Sequence, residues 1–184
     1  MPAPDRVVIP MVRTAGAALT PLVKRGDFVK MGQKIGDSDA FVSAPVHASV
    51  SGKVVAVELR PHPSGRRLVM SVVIENDRRD EWDVSCVPAN DPDALSGAEI
   101  ARLAREKGIV GMGGATFPAH VKLSPPPGKA VSVVIANGAE CEPFLSADDC
   151  LMRERADEVI EGIVLATRAL NARRALAGIE ENKP

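Results

Sequence analysis

From residue 7 to about residue 75 the apolar positions fall in short β-branched runs, Val7-Val-Ile9, Val54-Val-Ala-Val57 and Leu68 to Ile74, each bounded by glycine, aspartate or serine turns. Lys24-Arg-Gly26-Asp27 and Lys30-Met-Gly32-Gln33 are two tight turns six residues apart, and Pro45, Ser51-Gly52 and Ser64-Gly65 supply further breaks. Many short strands with regular turns predict a small all-β barrel or sandwich. The pattern changes at Glu75-Asn-Asp-Arg-Arg-Asp-Glu81, a polar run leading into Val87-Pro-Ala-Asn-Asp-Pro-Asp93. This shift predicts a domain over residues 1–80, a linker over 81–95 and a second domain over 96–184. Trp82, the only tryptophan, is expected to pack where the domains meet, an exposed interaction role being the alternative.

Past the linker the period lengthens. Ser96-Gly-Ala-Glu99 is a capping box, with Ile100, Leu103 and Ala104 following at helical spacing and Gly108 suited to the C′ position. After Lys122, Ser124-Pro-Pro-Pro-Gly128 excludes both helix and central strand. Val131 to Ala136 is a continuous apolar run, as expected of a strand buried on both faces of a parallel sheet. Ser146 is expected to cap a short helix through Met152. Val159, Ile160, Ile163, Val164, Thr167 and Leu170 then form the apolar stripe of a second helix, which Asn171 closes. Ala175 to Ile179 reads as the next strand. Strand, helix and strand after a capped helix predict an α/β layer. Only two of its strands are recognisable, so the chain is expected to be a fragment of a longer protein with this second domain truncated.

Composition narrows the function. A hydrophobic content of 45% with 26% charged residues describes a globular protein, and a net charge of -1 offers no footprint for nucleic acid or an acidic membrane surface. No apolar run approaches the ~20 residues that span a bilayer, so membrane association is expected to come through partners. Cys86, Cys141 and Cys150 are an odd count without a CxxC pair, which argues for a reducing compartment and against an iron–sulfur site within this span. His47, His62 and His120 are scattered without metal-ligand spacing, and no metal is expected.

The candidate chemistry centres on Gly108-Ile-Val-Gly111-Met-Gly113-Gly114-Ala115-Thr-Phe117-Pro118-Ala-His-Val-Lys122. Four glycines within seven residues let a backbone approach a ligand closely, and successive N–H groups there suit phosphate. The loop is neither a G-x-x-x-x-G-K-[ST] phosphate loop nor a G-x-G-x-x-G fingerprint between strand and helix. A structural turn is the plain alternative. Asn137, Glu140 and Glu142 cluster at the carboxyl end of the Val131–Ala136 run, where open α/β sheets place ligands. Each has its own plain alternative: Lys122 as a surface lysine, Cys141 as a small residue at a crowded turn, Glu142 as a solvated carboxylate.

Two resemblances attach to these residues. Val23-Lys-Arg-Gly26-Asp27-Phe-Val-Lys-Met-Gly32-Gln33, Ala44-Pro45 and Ser51-Gly52-Lys-Val resemble the lipoyl/biotinyl barrel-sandwich hybrid. Carriers of that kind present a modifiable lysine on a hairpin. The corresponding turn here is Asp37-Ser38-Asp39-Ala40, which has none, and Lys34 and Lys53 stand elsewhere. A structural or docking module is therefore expected. Gly111-x-Gly113-Gly114-Ala115-x-Phe117-Pro118-x-x-x-Lys122 with Asn137-x-x-Glu140-x-Glu142-Pro143 resembles the flavin- and NADH-binding subunit of respiratory complex I. Ser124-Pro-Pro-Pro, the Asn-Gly-Ala-Glu-Cys-Glu-Pro form and Gly178-Ile-Glu-Glu-Asn-Lys-Pro184 make the chain more similar to the RnfC family of Rnf (Rsx) ion-translocating electron transport complexes.

The resemblance implies a barrel-sandwich hybrid followed by the first part of a Rossmann-like α/β nucleotide-binding domain. It implies non-covalent FMN on the glycine loop (Gly111, Gly113, Gly114, Ala115) with Lys122 near the phosphate and Asn137 and Glu140 at the flavin. Phe117 and Glu142 would face NADH, and electrons would leave to [4Fe–4S] clusters outside this span. The implied partners are other subunits of a membrane-bound complex, on the cytoplasmic side of the cell membrane. Met112 stands where the complex I pattern has an arginine, Ala139 where it has an aspartate, and Leu123-Ser-Pro where it has aromatics. Weak or no flavin binding is expected of these residues alone. A non-catalytic docking module and a soluble flavin-dependent cobalamin reductase are the competing readings.

Overall fold

The computed structural model describes residues 2–183 other than Thr14, Arg66, Ala89, Asn90, Gly113, Gly114 and Pro143. Two compact units result, neither contiguous in sequence. The first holds residues 1–92 and 103–121, the second 93–102 and 122–184.

The first unit is a curled antiparallel barrel-sandwich. Strands β1 (Arg6–Pro10), β3 (Phe28–Val29), β6 (Gly52–Pro61) and β7 (Leu68–Asn76) form one sheet in the order β1-β7-β6-β3. Strands β2 (Thr20–Pro21), β4 (Lys34–Asp37) and β5 (Val46–His47) form the other, in the order β2-β4-β5. The β6–β7 hairpin is the longest pairing, with a bulge between Val54 and Ala56. Alternate residues from both sheets meet in one core, where Met11, Ile35, Val54, Val72 and Ile74 are at most 1% exposed. Each fully buried aliphatic side chain contributes roughly 1.5–3 kcal/mol relative to exposure.

The two expected turns are built alike. The Asp27 amide donates to Lys24 O and the Lys24 amide to Asp27 Oδ2 at 2.9 Å; the Gln33 amide donates to Lys30 O and the Lys30 amide to Gln33 Oε1 at 2.9 Å. Gly26 and Gly32 stand third in their turns at φ 101° and 80°, the left-handed position that favours glycine there. Trp82 is bridged to Met31, lies over Gly32 within this unit and is 62% exposed.

Helix α1 (Gly97–Glu106) begins as expected: the Glu99 amide donates to Ser96 Oγ, and the Ser96 amide donates back to Glu99 Oε2 at 2.8 Å. It ends in a Schellman motif, with Ile109 N–H donating to Ala104 O and Gly108 N–H to Arg105 O. Gly108 has φ 68°, and a Cβ there would lie 2.6 Å from Pro45 O, so both conformation and space demand glycine. The single turn α2 (Ala119–Lys122) follows the glycine loop.

In the second unit β8 (Val133–Asn137) pairs in parallel with β9 (Arg174–Gly178) through α3 (Ala147–Glu154) and α4 (Ala156–Ala169). Helix α4 closes as predicted, with Asn171 at φ 49°, its N–H donating to Arg168 O and Ala172 N–H to Thr167 O. Three expectations need correction. The strand begins at Val133 rather than Val131, because its bounds follow the partner strand rather than the apolar run. It is not buried on both faces, since Ile135 is 67% exposed. The α4 stripe is only half covered: Ile160 and Val164 are exposed, whereas Val159 and Ile163 are partly buried.

Candidate functional site

The expected site residues divide between the two units. Gly111, Ala115 and Phe117 belong to the barrel unit, and Lys122, Asn137, Glu140 and Glu142 to the second. Gly113, Gly114 and the Pro143 of the second motif lie outside the described residues.

In the barrel unit the two flanks of the glycine loop are tied to each other. Val110 and Pro118 form an antiparallel bridge, Ala119 N–H donates to Ile109 O, and Gly111 N–H donates to Phe117 O at 3.0 Å. Gly111 is therefore not among the amides left for a phosphate, and its φ is not positive. What its missing side chain provides is space: a Cβ there would meet nothing closer than Phe117 O at 3.9 Å. Met112 beside it is 84% exposed, Ala115 is exposed and Thr116 takes φ 52°. His120 anchors the loop from behind; it is 4% exposed, lies edge-on to Phe41, and has Nε2 2.8 Å from Phe41 O.

In the same unit, the turn that carriers use for their lysine is tied down. Asp37 accepts from Lys34 Nζ at 3.1 Å, from Arg105 at 3.0 Å and from the Ser38 amide at 2.8 Å, and Lys34 also reaches Glu106 at 2.5 Å. Burial works against the Asp37 carboxylate, but the Ser38 amide, Lys34 and Arg105 outweigh it and hold its pKa below the usual value. Lys34 likewise holds the Glu106 carboxyl down.

In the second unit Asn137 ends β8 and folds back, its Oδ1 accepting from Ala139 N–H at 3.2 Å. Glu140 has a different position from a free ligand group. Its side chain is 5% exposed, and its carboxylate accepts from the Asp148 amide at 2.9 Å and the Asp149 amide at 3.4 Å. These are the second and third amides of α3, the groups an N-cap side chain ordinarily satisfies. Ser146, expected as that cap, occupies the position but makes no side-chain cap bond. Lys183 Nζ completes the set at 3.2 Å. The Asp148 amide, and then Lys183, outweigh burial and depress the Glu140 pKa, while Glu140 raises that of Lys183. Glu142 and Phe144 are exposed, in a shallow cleft that Glu140, Ser146, Asn182 and Lys183 also line. Lys183 carries no signal as a site residue in sequence, because its partner lies 43 positions away. Lys122 is exposed. Among the described residues no group of three or more His, Cys, Asp and Glu could hold a metal, and all three cysteines are free and exposed.

Residues 1–79 match the RnfC barrel sandwich hybrid domain, and residues 104–184 match the Nuo51 FMN-binding domain. The C-subunit of the Na(+)-translocating ferredoxin:NAD(+) oxidoreductase complex of Acetobacterium woodii is 51% identical over 180 residues, covering 98% of this chain and 40% of that protein. Its counterpart in the proton-translocating complex of Clostridium ljungdahlii is 51% identical over 183 residues, covering all of this chain and again 40% of that protein. The C-subunit of the ion-translocating oxidoreductase complex of Rhodobacter capsulatus is 43% identical over 186 residues, covering all of this chain and 36% of that protein. The chain thus spans about two fifths of the curated relatives it matches. With a barrel-sandwich hybrid in front, an FMN-binding match behind and C-subunit relatives along its whole length, the chain belongs to the N-terminal region of the RnfC family.

Proposed function

We propose that this chain is part of an electron-transfer subunit that exchanges electrons between NADH and iron–sulfur centres through non-covalent FMN, within a membrane-bound ion-translocating complex. The observation that supports it most is the FMN-binding match over residues 104–184, which contains both the glycine loop and the Asn137–Glu142 segment. The relatives' names give ferredoxin and NAD(+) as reactants, and [4Fe–4S] clusters would lie outside these residues. FMN, when bound, supplies the conversion between two-electron and one-electron transfer. The protein's own share is placement. Gly111, Gly113, Gly114 and Ala115 offer backbone without a large side chain, and Lys122 offers a cation to the phosphate. Asn137 offers an amide to the flavin edge, while Phe117 and Glu142 face the nicotinamide nucleotide. Glu140 is a positioning residue, holding the loop after β8 against the start of α3.

In this reading the functional domains run over residues 1–80 and 96–184, joined by 81–95, and the barrel is a docking module. Its Asp37 turn is pinned by Lys34 and Arg105, unsuited to a swinging arm. No helix among the described residues is long and apolar enough to cross a membrane. Attachment would be peripheral, through other subunits on the cytoplasmic side.

The test is a flavin fluorescence titration with FMN and riboflavin in parallel, on the protein extended to its relatives' length. Lys122→Ala should weaken FMN about tenfold or more, the worth of a charge-assisted hydrogen bond, and leave riboflavin nearly unchanged. Equal losses for both would remove Lys122 from the phosphate. A colourless protein without NADH-dependent bleaching would end the flavin reading. Residues 1–184 by themselves are expected to bind flavin weakly.

A further inference from the structure

Arg13 follows β1 and is partly buried; one NH2 donates to Pro45 O at 3.0 Å, while its buried Nε has no partner among the described residues. Guanidinium stays protonated, so a buried Nε–H without an acceptor costs more than a neutral donor would. Burial lowers the Arg13 pKa, marking a cation without compensation.

Beside it lies a cleft in the barrel unit whose polar lining is Arg13, His47, Ser49, His62 and Thr116, with apolar walls. Among the described residues no carboxylate lines it. His62 Nδ1 accepts from the Ser64 amide at 3.2 Å, which leaves Nε2 to carry an N–H. Burial above all, and then Lys34, Arg13 and Lys107, push the His47 pKa below its usual value against a bond to the Glu106 backbone. Arg13 is thus the fixed positive charge, and Thr116, a member of the glycine loop, contributes to the same cleft.

We propose that this cleft is an anion site that takes a phosphate group, with the Arg13 guanidinium as the principal donor and His62 and Thr116 at its rim. Guanidinium matches a phosphate through two parallel N–H···O bonds, which a lysine could not reproduce. The placement of Thr116 points to the phosphate of a nucleotide whose remainder runs along the glycine loop. The site does not require the flavin reading, since inorganic phosphate probes it directly.

The chain has three histidines. Two line the cleft, and His120 is buried elsewhere, on Phe41. Imidazole Cε1–H NMR signals can be followed at fixed pH, and at ionic strength held with chloride, while inorganic phosphate, FMN, NADH or riboflavin is added. His47 and His62 should shift saturably with inorganic phosphate while His120 stays in place. Arg13→Gln should weaken that response at least tenfold. Ser49→Asp, an exposed change that puts a carboxylate at the rim, should weaken it as well and serves if Arg13→Gln does not fold. A response to FMN or NADH but not to riboflavin, lost in Arg13→Gln, would assign the phosphate to a nucleotide. Response to inorganic phosphate only would make the site a separate anion site. Silent His47 and His62, equal movement of His120, or unchanged affinity in both variants would overturn the proposal.

Discussion

The barrel and the βααβ unit draw on the same residue types and reach different degrees of burial. Val72 and Ile74 in β7 are 0% exposed, whereas Ile135 in β8 and Leu176 in β9 are 67% and 48% exposed. Both pairs are β-branched or aliphatic side chains in paired strands. The difference lies in layering: the barrel closes two sheets over one another, while the two-stranded parallel sheet has α4 packed against it and no second layer among the described residues. Pairing supplies the hydrogen bonds of a strand, and covering supplies its hydrophobic stability.

The largest expected effect sets the two against each other. Ile74→Ala should destabilise the barrel by about 2–5 kcal/mol, the range for a large-to-small change in a closed core, and Ile135→Ala by about 0.5 kcal/mol or less. Chemical denaturation followed by Trp82 fluorescence reads the first and amide hydrogen exchange along β8 reads the second; similar costs would break the contrast. Next is the polar network of the barrel. Asp37→Asn should cost about 1–2 kcal/mol, a charge-assisted value reduced for its partial exposure. The Asp37 and Glu106 carboxyls have pKa values depressed on folding, so their contribution is present above the unfolded values near 4 and is lost as pH falls through the lower folded ones. Acid titration of wild type and Asp37→Asn should show a smaller acid-side loss in the variant. The smallest effect is at the cap, where Ser96→Ala should cost about 1 kcal/mol of α1 stability and Ser96→Gly less, measured by thermal unfolding.

How much of this is readable from sequence follows from the range of each interaction. The Gly26 and Gly32 turns, the Ser96–Glu99 box and the Gly108 and Asn171 helix ends are settled within six residues, and all stand where the residues put them. The same local logic makes Ser146 a cap. It loses that role to Glu140, which reaches α3 from across the loop and brings a full negative charge to amides that favour one. Arg13 has no local signal at all: its partner carbonyl is 32 residues away, and its histidine neighbours come from other strands and turns. The Asn137–Glu142 cluster is legible as a set of polar groups at a strand end. Which member points outward and which is spent on the fold is not, because Lys183 decides it.

The Glu140–Lys183 pair has one more consequence. It joins two points 43 residues apart, so it acts as a reversible cross-link around α3, α4 and β9. The entropy of closing a loop grows only with the logarithm of its length, so such a tie restrains a long excursion almost as readily as a short one. Unlike a disulfide it needs no oxidant, which suits a chain whose three cysteines are all free. Strong acid, by protonating Glu140, would open that ring and release the start of α3 in the same event.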